Sequence, residues 1–361
     1  NFDNNNGRIN FESNLKNKSK FKFSKINNFY EYDPTAIFNE DNIIFFNNKG
    51  TISKFDDNSN LIWSKNYYLK SEKKQNPILF FASNKNLLIV ADNIAKYYAL
   101  NVNTGELLWS KNNTAPFNSQ IKIYKDKFFV IDFENILRAY SIKNGKEVWN
   151  VKTENSLIRS QKKLSIVITD DKIYFNNSLG DISSVDAMSG ELLWQSPTQS
   201  SLIFDEGFFL KTSDIVADKN TLYFSNNKNV FFSIDKNTGT LNWEQKINSN
   251  LRPTLIDNYI FTVSLEGYLI IMDKTTGTII RITDIFKNIK HKIRVKIKPS
   301  GFIVGKNNIY LTTDHGRLLV IETATGITKS IIKIDNRKIS RPLVLNQNLF
   351  IVTDNSIIKL N

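Results

Sequence analysis

A short sequence phrase recurs along this chain, and each complete copy has a tryptophan near its end, which we call its closing residue. Residues 100–111 read LNVNTGELLWSK, and related phrases read SIKNGKEVWN, VDAMSGELLWQ and IDKNTGTLNWEQ. Every Trp of the 361-residue chain closes a copy of the phrase. Self-similarity at a regular spacing is typical of repeat architectures, in which each repeat is one supersecondary unit. The closing residues are Trp63, Trp109, Trp149, Trp194 and Trp243.

A glycine stands four residues before most of these tryptophans, although the chain contains only 14 Gly. Ser59 takes this place before Trp63, and two later copies keep the glycine but end in Arg281 and Ser330. Successive copies are 38 to 49 residues apart, so the chain has room for about eight units. The glycines are Gly105, Gly145, Gly190, Gly239, Gly277 and Gly326.

Each unit reads as short strands joined by tight turns. In the fourth unit, β-forming runs lie at 172–175, 181–186 and 191–195, separated by turn-forming residues. Asp186 and Gly190 suit the last turn, because an Asp side chain can accept backbone N–H groups two residues on and Gly adopts positive φ without strain. Several strands are apolar on both faces, as in sheets packed between two neighbours. The pattern predicts an all-β, eight-bladed β-propeller of four-stranded antiparallel blades.

The two ends of the chain supply complementary parts of the pattern. Eight apolar second-strand runs are followed by only seven closing phrases, and the run FKFSK at Phe21–Lys25 is left over before the first unit. Aligned with LIWSK at 61–65, it places Phe23 where Trp belongs. We therefore expect an N-terminal strand to complete the last blade and close the ring. The predicted organisation is one propeller domain at 20–361, preceded at 1–19 by a polar linker expected to be disordered.

Composition argues against several kinds of chemistry. The chain has no Cys, which excludes disulfides, thiolate metal sites and Cys nucleophiles. Only His291 and His315 could act as imidazole ligands or bases, and they lie in different units. We therefore predict no catalytic residue, no metal site and no cofactor. The tryptophans are assigned a structural role, since a buried indole removes a large apolar area from water.

The chain is basic, with a formal net charge of +13. Its Lys residues are scattered and no aromatic-basic platform is present, so we predict no nucleic-acid partner. Residues 287–298 carry six Lys or Arg and alternate cation with aliphatic from Lys292 onward, which predicts a strand with one basic face. This face is either a solvated edge or a contact for an anionic partner or lipid surface. Arg252, Lys298 and Arg341 each precede a proline at the start of a blade, and three cations would then surround one channel mouth.

The phrase D-x-x-T-G-x-x-x-W resembles the tryptophan-docking repeat of the quinoprotein propellers. It is carried, with small variations, at 234–243 and 185–194, and at 100–109 with Asn101 in place of Asp. No Trp here is followed by Asp, which distinguishes the chain from the other common propeller signature. Eight units with almost no additional sequence resemble most the BamB family of outer-membrane assembly lipoproteins, over about residues 20–361.

This resemblance implies a non-catalytic scaffold in outer-membrane β-barrel protein assembly. It further implies a monomeric propeller in the periplasm, anchored to the inner face of the outer membrane by lipid on a Cys upstream of residue 1. The implied partner is a POTRA domain of a BamA-like protein, and unfolded outer-membrane proteins are candidate clients. The alternative is a pyrroloquinoline-quinone-dependent dehydrogenase or another ligand-binding quinoprotein. Such enzymes resemble this chain in fold but have a calcium site, a catalytic Asp and a Trp under the quinone, and this chain has no Trp outside the docking series.

The same resemblance suggests the partner site. In the family, the loop after the third Trp strand docks the POTRA domain through aliphatic side chains and an Arg, and Leu157, Ile158 and Arg159 follow Trp149 at the matching distance. Aliphatic side chains supply contact area, and Arg supplies forked donors. An ordinary loop with an incidental Arg is the alternative. The family also uses acidic residues in the next loop, for which the candidates are Asp205 and Glu206, although direct alignment gives Leu210 and Lys211.

Overall fold

Apolar runs between turn-forming residues become strands throughout the chain, as their β-branched and aromatic composition favours. The computed structural model describes residues 2–5, 7–16, 18–27, 29–153, 160, 162–198 and 210–361. Eight four-stranded antiparallel sheets form the blades of a β-propeller, which confirms the predicted fold class. The chain divides into two compact units, one of residues 20–209 with 354–356 and the other of 1–19, 210–353 and 357–361. None of the described helices is long and apolar enough to cross a membrane.

The first strand in the chain, β1 (Lys18–Lys22), belongs to the last blade. Blade 1 consists of β2 (Ile37–Asn39), β3 (Asn42–Phe46), β4 (Ile52–Phe55) and β5 (Leu61–Lys65). Blade 2 consists of β6 (Leu79–Ser83), β7 (Leu87–Asp92), β8 (Lys96–Asn101) and β9 (Leu107–Asn112). Blade 3 consists of β10 (Lys122–Tyr124), β11 (Lys127–Ile131), β12 (Ile136–Ser141) and β13 (Glu147–Lys152). Blade 4 consists of β14 (Ile166–Thr169), β15 (Lys172–Asn176), β16 (Ile182–Asp186) and β17 (Leu192–Ser196).

The remaining blades lie in the second half of the sequence. Blade 5 consists of β18 (Val216–Ala217), β19 (Thr221–Asn226), β20 (Val230–Asp235) and β21 (Leu241–Gln245). Blade 6 consists of β22 (Thr254–Ile256), β23 (Tyr259–Val263), β24 (Tyr268–Asp273) and β25 (Ile279–Asp284). Blade 7 consists of β26 (Pro299–Val304), β27 (Asn308–Thr313), β28 (Arg317–Glu322) and β29 (Thr328–Lys333). Blade 8 consists of β30 (Leu343–Leu345), β31 (Asn348–Val352), β32 (Ser356–Leu360) and β1. Three single-turn helices are described, α1 (Phe29–Tyr32), α2 (Lys70–Lys73) and α3 (His291–Arg294).

Blade faces pack directly on one another where their middle strands are apolar. In one core cluster, Phe129 and Leu137 of blade 3 meet Ile173 and Phe175 of blade 4, and all four side chains are fully buried. The fourth strands are different, because they alternate exposed residues with a partly buried Trp face, as in β9 and β13. The middle strands therefore form the core, and the fourth strands leave side chains at the surface.

Each Trp strand carries a β-bulge immediately before its Trp. In blade 2, Trp109 pairs with Ala99 and Leu107 pairs with Leu100, so Leu108 is the additional residue. The same shift precedes Trp63, Trp149, Trp194 and Trp243, and it also precedes Arg281 and Ser330 where Trp is lost. A bulge increases local twist and redirects the following side chain.

Strand β1 pairs with β32 and completes blade 8, which confirms the predicted ring closure. Its bounds are three residues earlier than the run Phe21–Lys25, so Phe23 lies just beyond the strand. The buried aromatic within β1 is Phe21, whose ring packs edge-on against Phe55 of blade 1 with centroids 5.8 Å apart. Phe23 also contacts blade 1, because its ring centroid lies 5.0 Å from that of Phe45. The bounds of the strand differ from the prediction because the alignment with LIWSK had no Trp to fix its register.

Residues 7–16, within the segment expected to be a linker, contribute apolar side chains to the core. Phe11 is buried with its ring centroid 4.9 Å from that of Tyr310, and Leu15 joins the same cluster. The backbone is also bonded, because Ile9 N donates to Val304 O at 2.8 Å. The polar composition of this segment concealed two core residues.

Candidate functional site

The predicted partner site lies on two connections between blades that fall outside the described residues. Leu157, Ile158 and Arg159 belong to 154–159, and Asp205 and Glu206 belong to 199–209. Their assignment as partner-binding residues stays a prediction. The residues on either side of these connections are described, and they define the frame that holds the loops.

The two ends of the first loop are held by one polar cluster. The backbone N–H and hydroxyl of Thr153 both donate to the carbonyl of Asn135, at 3.3 and 3.0 Å. The side-chain oxygen of Asn135 accepts from the N–H and hydroxyl of Ser178, at 2.9 and 2.8 Å. Ser160 N then donates to the Ser178 hydroxyl at 3.2 Å. The cluster therefore joins the residue before the loop to the residue after it.

The second loop begins beside the turn of blade 4 at residues 177–181, which contains Ser178. The hydroxyl of Thr198 donates to the carbonyl of Gly180 at 3.0 Å, two residues from Ser178. This turn is stiffened by Asn177, whose side-chain oxygen accepts from the N–H groups of Leu179 and Asp181 at 2.9 and 3.0 Å. The described starts of both loops are therefore fixed to one ordered turn.

Beyond the second loop, Leu210 is buried, so its side chain contributes to the protein core. Lys211 is fixed through its backbone N–H, which donates to the side-chain oxygen of Asn227 at 2.7 Å. Sequence analysis did not identify Asn135, Thr153 or Ser178 as the residues that hold the loop. Their only signal in the sequence is a polar side chain at a blade turn or strand end.

The Trp and Gly of the recurring phrase meet across neighbouring blades. A Cβ built on Gly145 would lie 2.6 Å from Cζ3 of Trp109, and one on Gly190 would lie 2.7 Å from Cδ2 of Trp149. Both glycines have positive φ, +67° and +79°. Only glycine therefore allows the indole of one blade to lie against the turn of the next. The same contact joins Trp63 to Gly105 and Trp243 to Gly277.

The remaining members of the series keep the same backbone positions. Trp194 pairs with Ser184 in the register of the other Trp strands, and Gly239 has a φ of +74°. Gly326 also has positive φ, but its neighbour is Thr283 of blade 6, because no Trp precedes it. The structural role of these residues stays a prediction, and the backbone positions are consistent across the series.

Three indoles also donate a hydrogen bond to the turn that they cover. Trp63, Trp109 and Trp149 donate from Nε1 to backbone carbonyls at 3.0 to 3.1 Å, and the acceptors are Val102, Ile142 and Met188. At the Trp place of blade 6, the guanidinium of Arg281 donates to the carbonyls of Thr323 and Ala324. Arg281 therefore bonds the next turn as an indole does, with two donors instead of one.

The closing turns have the predicted Asp and Gly chemistry. The side chain of Asp186 accepts from the N–H groups of Met188 and Ser189 at 2.9 and 2.8 Å, and Gly190 N donates to Asp186 O at 2.9 Å. The bond from Ser189 N lowers the pKa of Asp186 below its ordinary value. Asp273 repeats the arrangement with the N–H of Thr276. These carboxylates act as turn acceptors.

The basic segment 287–298 is not a strand, and that prediction is wrong. Residues 291–294 form helix α3, and Ile297 N continues the helical bonding with a bond to Ile293 O at 3.0 Å. Arg294 donates to Asp284 at 2.7 Å and lies over the ring of Tyr268. A run of alternating cations and aliphatics this short fits one helical turn as well as a strand.

Two of the three cations that precede prolines are engaged within the protein. Arg252 Nε donates to the carboxylate of Asp214 at 2.7 Å, and Arg341 Nε donates to Phe302 O at 2.8 Å. Lys298 has an exposed side chain. In the described part of the chain, no group of three or more His, Asp or Glu residues is placed to hold a metal ion.

The comparison with known families agrees with this architecture. A family model described as outer membrane protein assembly factor BamB matches residues 48–283, about two thirds of the chain. The chain belongs to the BamB family. The match ends two residues after Arg281, where the Trp series is lost.

Individual relatives of the family are distant in sequence. The outer membrane protein assembly factor BamB of Shewanella oneidensis is 22% identical over an alignment of length 291 that covers 73% of this chain and 69% of that protein. The structure of BamB from Moraxella catarrhalis superposes with a TM-score of 0.74 at 15% identity, covering 95% of this chain and all of that one. The quinohemoprotein alcohol dehydrogenase of Comamonas testosteroni has a TM-score of 0.70 at 10% identity, covering 98% of this chain and 78% of that one. These structural similarities establish the fold alone.

Proposed function

We propose that this protein is a non-catalytic accessory subunit of outer-membrane β-barrel protein assembly. The observation that carries the proposal is the BamB family match over residues 48–283, and the relatives from Shewanella and Moraxella have the same name. A periplasmic location at the outer membrane accompanies this role. Lipid on a Cys upstream of residue 1 would provide the anchor.

The proposed docking element is the loop that contains Leu157, Ile158 and Arg159, and its partner is a POTRA domain of a BamA-like protein. One arrangement in the described residues supports this choice. The residues that flank the loop, Thr153 and Ser160, are joined through Asn135 and Ser178. Fixed flanking residues reduce the conformational freedom that a segment between them can lose on binding.

Asp205 and Glu206 form the proposed acidic half of the same site. The support is the start of their connection, where Thr198 bonds to Gly180 O at 3.0 Å. This position is two residues from Ser178, which bonds to Ser160 at the end of the first loop. An acidic pair beside an Arg would give the two halves opposite charges and would favour one orientation of the partner.

Unfolded outer-membrane proteins are the proposed clients. The fourth strands leave exposed aliphatic side chains beside the Trp, such as Leu107 and Leu108 in blade 2 and Leu192 and Leu193 in blade 4. These strands are also edges of their sheets. An extended client could add a strand to such an edge, with backbone hydrogen bonds supplying affinity.

The docking proposal is tested by capture of purified BamA-like POTRA domains on the immobilised full chain. Leu157→Ala/Ile158→Ala/Arg159→Ala should reduce capture at least tenfold and leave thermal unfolding unchanged. The matched control is Leu107→Ala/Leu108→Ala/Lys111→Ala, which also removes two aliphatics and one cation, from two exposed positions and one half-buried position of β9. Equal capture by the loop variant and the native chain would remove the loop assignment.

Titration with pyrroloquinoline quinone and Ca²⁺ tests the alternative dehydrogenase function. An accessory subunit should bind neither tightly and should not reduce an artificial electron acceptor when an alcohol is supplied. Dye reduction that requires both additions would replace the scaffold proposal by the enzymatic one.

A further inference from the structure

A second candidate binding site lies within the unit that contains blades 6 and 7. An open groove of about 800 Å³ runs beside strand β25 and is bordered on one side by residues of the N-terminal segment. None of its described lining residues belongs to the loops of the docking proposal. Its lining includes Arg8, Tyr259, Phe261, Ile271, Ile280, Arg281, Lys306 and Thr323.

The groove lies where the closing Trp has been replaced by Arg. Phe261, Ile271 and Arg281 form a row across blade 6, because Phe261 pairs with Ile271 and Ile271 pairs with Arg281. The equivalent row of blade 3 is Phe129, Ala139 and Trp149. A guanidinium that extends to the next turn fills less of the space between blades than an indole does. The side chains of Phe261 and Ile271 therefore line an open groove at this position.

The floor and one wall of the groove are apolar. Phe261 and Ile271 form the floor and are 5% and 8% exposed. Tyr259 and the bulged residue Ile280 stand at the side, and they are 44% and 54% exposed. A large apolar side chain of a ligand would cover this surface, and burial of apolar area stabilises binding by about 25 cal/mol per Å².

The opposite side of the groove carries two cations, Arg8 and Lys306. Arg8 and Lys306 come together because residue 8 forms a parallel bridge with Val304 and the N–H of Lys306 bonds to Phe11 O. Among the described residues, neither side chain has an ion pair or hydrogen bond. Of the two described carboxylates that line the groove, Glu322 pairs with Lys329, whereas Glu12 keeps its charge and accepts hydrogen bonds from Asn307. The described part of the lining contains four cations, Arg8, Arg281, Lys306 and Lys329, against these two carboxylates. The available charge is therefore positive.

Two polar atoms of the lining residues are buried and have no hydrogen-bond partner in the described part of the chain. They are Nε of Arg281, a donor, and the hydroxyl of Thr323. Buried polar atoms are normally bonded, and an unbonded one costs roughly 1 to 3 kcal/mol. A peptide backbone has both a donor and an acceptor and could supply the missing bonds. The acyl chain of a lipid could not.

We propose that this groove binds an extended acidic peptide segment of a protein partner. A carboxylate of the segment pairs with Arg8 and Lys306, and a neighbouring aromatic or aliphatic side chain packs on Phe261 and Ile271. A peptide fits better than a lipid, because the ion pair between Glu322 and Lys329 interrupts the apolar surface that an acyl chain would need. The inference does not depend on the docking loop.

Fluorescence anisotropy with a dye-labelled heptapeptide of alternating Asp and Phe tests the proposal on the full chain. Arg8→Glu/Lys306→Glu should weaken binding at least tenfold. Ile280→Asp should weaken it several-fold through lost apolar contact and repulsion. Both changes are at exposed positions, so thermal unfolding should be unaffected. A heptapeptide of alternating Lys and Phe should bind at least tenfold more weakly than the acidic one.

The matched control is Lys290→Glu/Lys296→Glu, which makes the same change of net charge at exposed positions beside α3. It should bind the acidic peptide as the native chain does. Equal loss in this control, equal binding of the basic peptide, or no binding of the acidic peptide would each overturn the proposal. Binding of phosphatidylglycerol vesicles through Arg8 and Lys306, without binding of the peptide, would also overturn it.

Discussion

The contact between blades 3 and 4 and the contact between blades 6 and 7 use the same row of positions but fill it differently. In blade 3 the row is Phe129, Ala139 and Trp149, and the small Ala leaves space for the indole. In blade 6 the row is Phe261, Ile271 and Arg281, where a larger aliphatic residue stands opposite a polar one. Arg281 gives blade 6 less apolar volume in its fourth strand than Trp149 gives blade 3. Ile271 restores part of that volume in the third strand, because it is larger than Ala139.

This difference shows which part of the recurring phrase the fold requires. Both closing residues bond backbone carbonyls of the next turn, Trp149 at Met188 and Arg281 at Thr323 and Ala324. The bulge before the closing residue is also common to both blades. In these two blades the aromatic ring is therefore replaceable, whereas the bulged strand and the bond to the next turn are retained. Blade 5 keeps the indole and the bulge, but Nε1 of Trp243 has no hydrogen-bond partner among the described residues.

Blade 7 extends the comparison, because its closing residue is Ser330, which pairs with Val320. The aromatic partner of Tyr310 in this row comes from the N-terminal segment, through Phe11 at a centroid distance of 4.9 Å. Phe11 and Leu15 share a core cluster with Tyr310. The N-terminal segment, which lies outside the repeats, thus supplies apolar side chains to the blade in which Ser330 stands in place of Trp.

The largest expected effect distinguishes the Trp contact from the Arg contact. Trp63→Ala removes a side chain that is 7% exposed, and it should lower the free energy of unfolding by about 3 to 5 kcal/mol. Arg281→Ala removes hydrogen bonds from a less buried side chain and should cost about 1 to 2 kcal/mol. Chemical denaturation of both variants measures these costs. Equal losses would mean that the indole packs no better than the guanidinium.

Replacement of the docking glycine should have the next largest effect. Gly145→Ala introduces a Cβ 2.6 Å from the indole of Trp109 at a φ of +67°, so steric overlap and backbone strain should together cost about 2 to 4 kcal/mol. Gly7 is the matched control, because its φ is also positive but the nearest atom to its Cβ would be 3.7 Å away. Gly7→Ala should cost about 1 kcal/mol. Similar melting temperatures for the two variants would contradict the role of the indole.

A smaller effect should appear in the pH dependence of blade 2. Burial raises the pKa of Asp92 from 3.8 to about 6. Between these values the folded protein retains a proton that the unfolded chain has lost, so stability falls as pH rises through this window. At pH 7 the ionised Asp92 therefore lowers the free energy of unfolding by about 3 kcal/mol at most. The hydrogen bonds that Asp92 accepts from the Tyr68 hydroxyl and from Lys96 N stabilise the carboxylate and oppose the effect of burial.

Asp92→Asn keeps the side-chain acceptor for Lys96 N but removes the titration. The stability of the variant relative to the native chain should therefore increase from pH 4 to pH 7. The control is Ser264→Ala in blade 6, where Ser264 accepts from Tyr268 N without a titratable group. The stability of this variant relative to the native chain should not change between pH 4 and pH 7. An unchanged pH profile in Asp92→Asn would show that this carboxyl does not contribute the dependence.

The repeat and its turn chemistry could be predicted from the sequence because they depend on local signals. The spacing of Trp and Gly indicated the blades, and Asp186 with Gly190 indicated a turn that the structure contains. The bounds of β1 and the conformation of 287–298 could not be predicted as well. Short runs without a Trp have ambiguous register, and alternation over a few residues does not separate a strand from a helical turn.

The candidate sites were less accessible to sequence reasoning, because they depend on residues far apart in the chain. The groove combines Arg8 with residues near 260, 280 and 306, which only the folded chain brings together. The loss of Trp at Arg281 was visible in the sequence, but its bonds to Thr323 and Ala324 were not. The polar cluster of Thr153, Asn135 and Ser178 likewise requires two blades to be packed.

The central claim is that the closing indoles of blades 1, 2, 3 and 5 lie directly on the glycine turn of the next blade. A double-mutant cycle of Trp109→Ala and Gly145→Ala, measured by chemical denaturation, tests it most directly. If the indole causes the clash, Gly145→Ala should cost only about 1 kcal/mol once Trp109 is Ala, a coupling of about 1 to 3 kcal/mol. Additive costs would show that Gly145 and Trp109 act independently, and they would contradict the account.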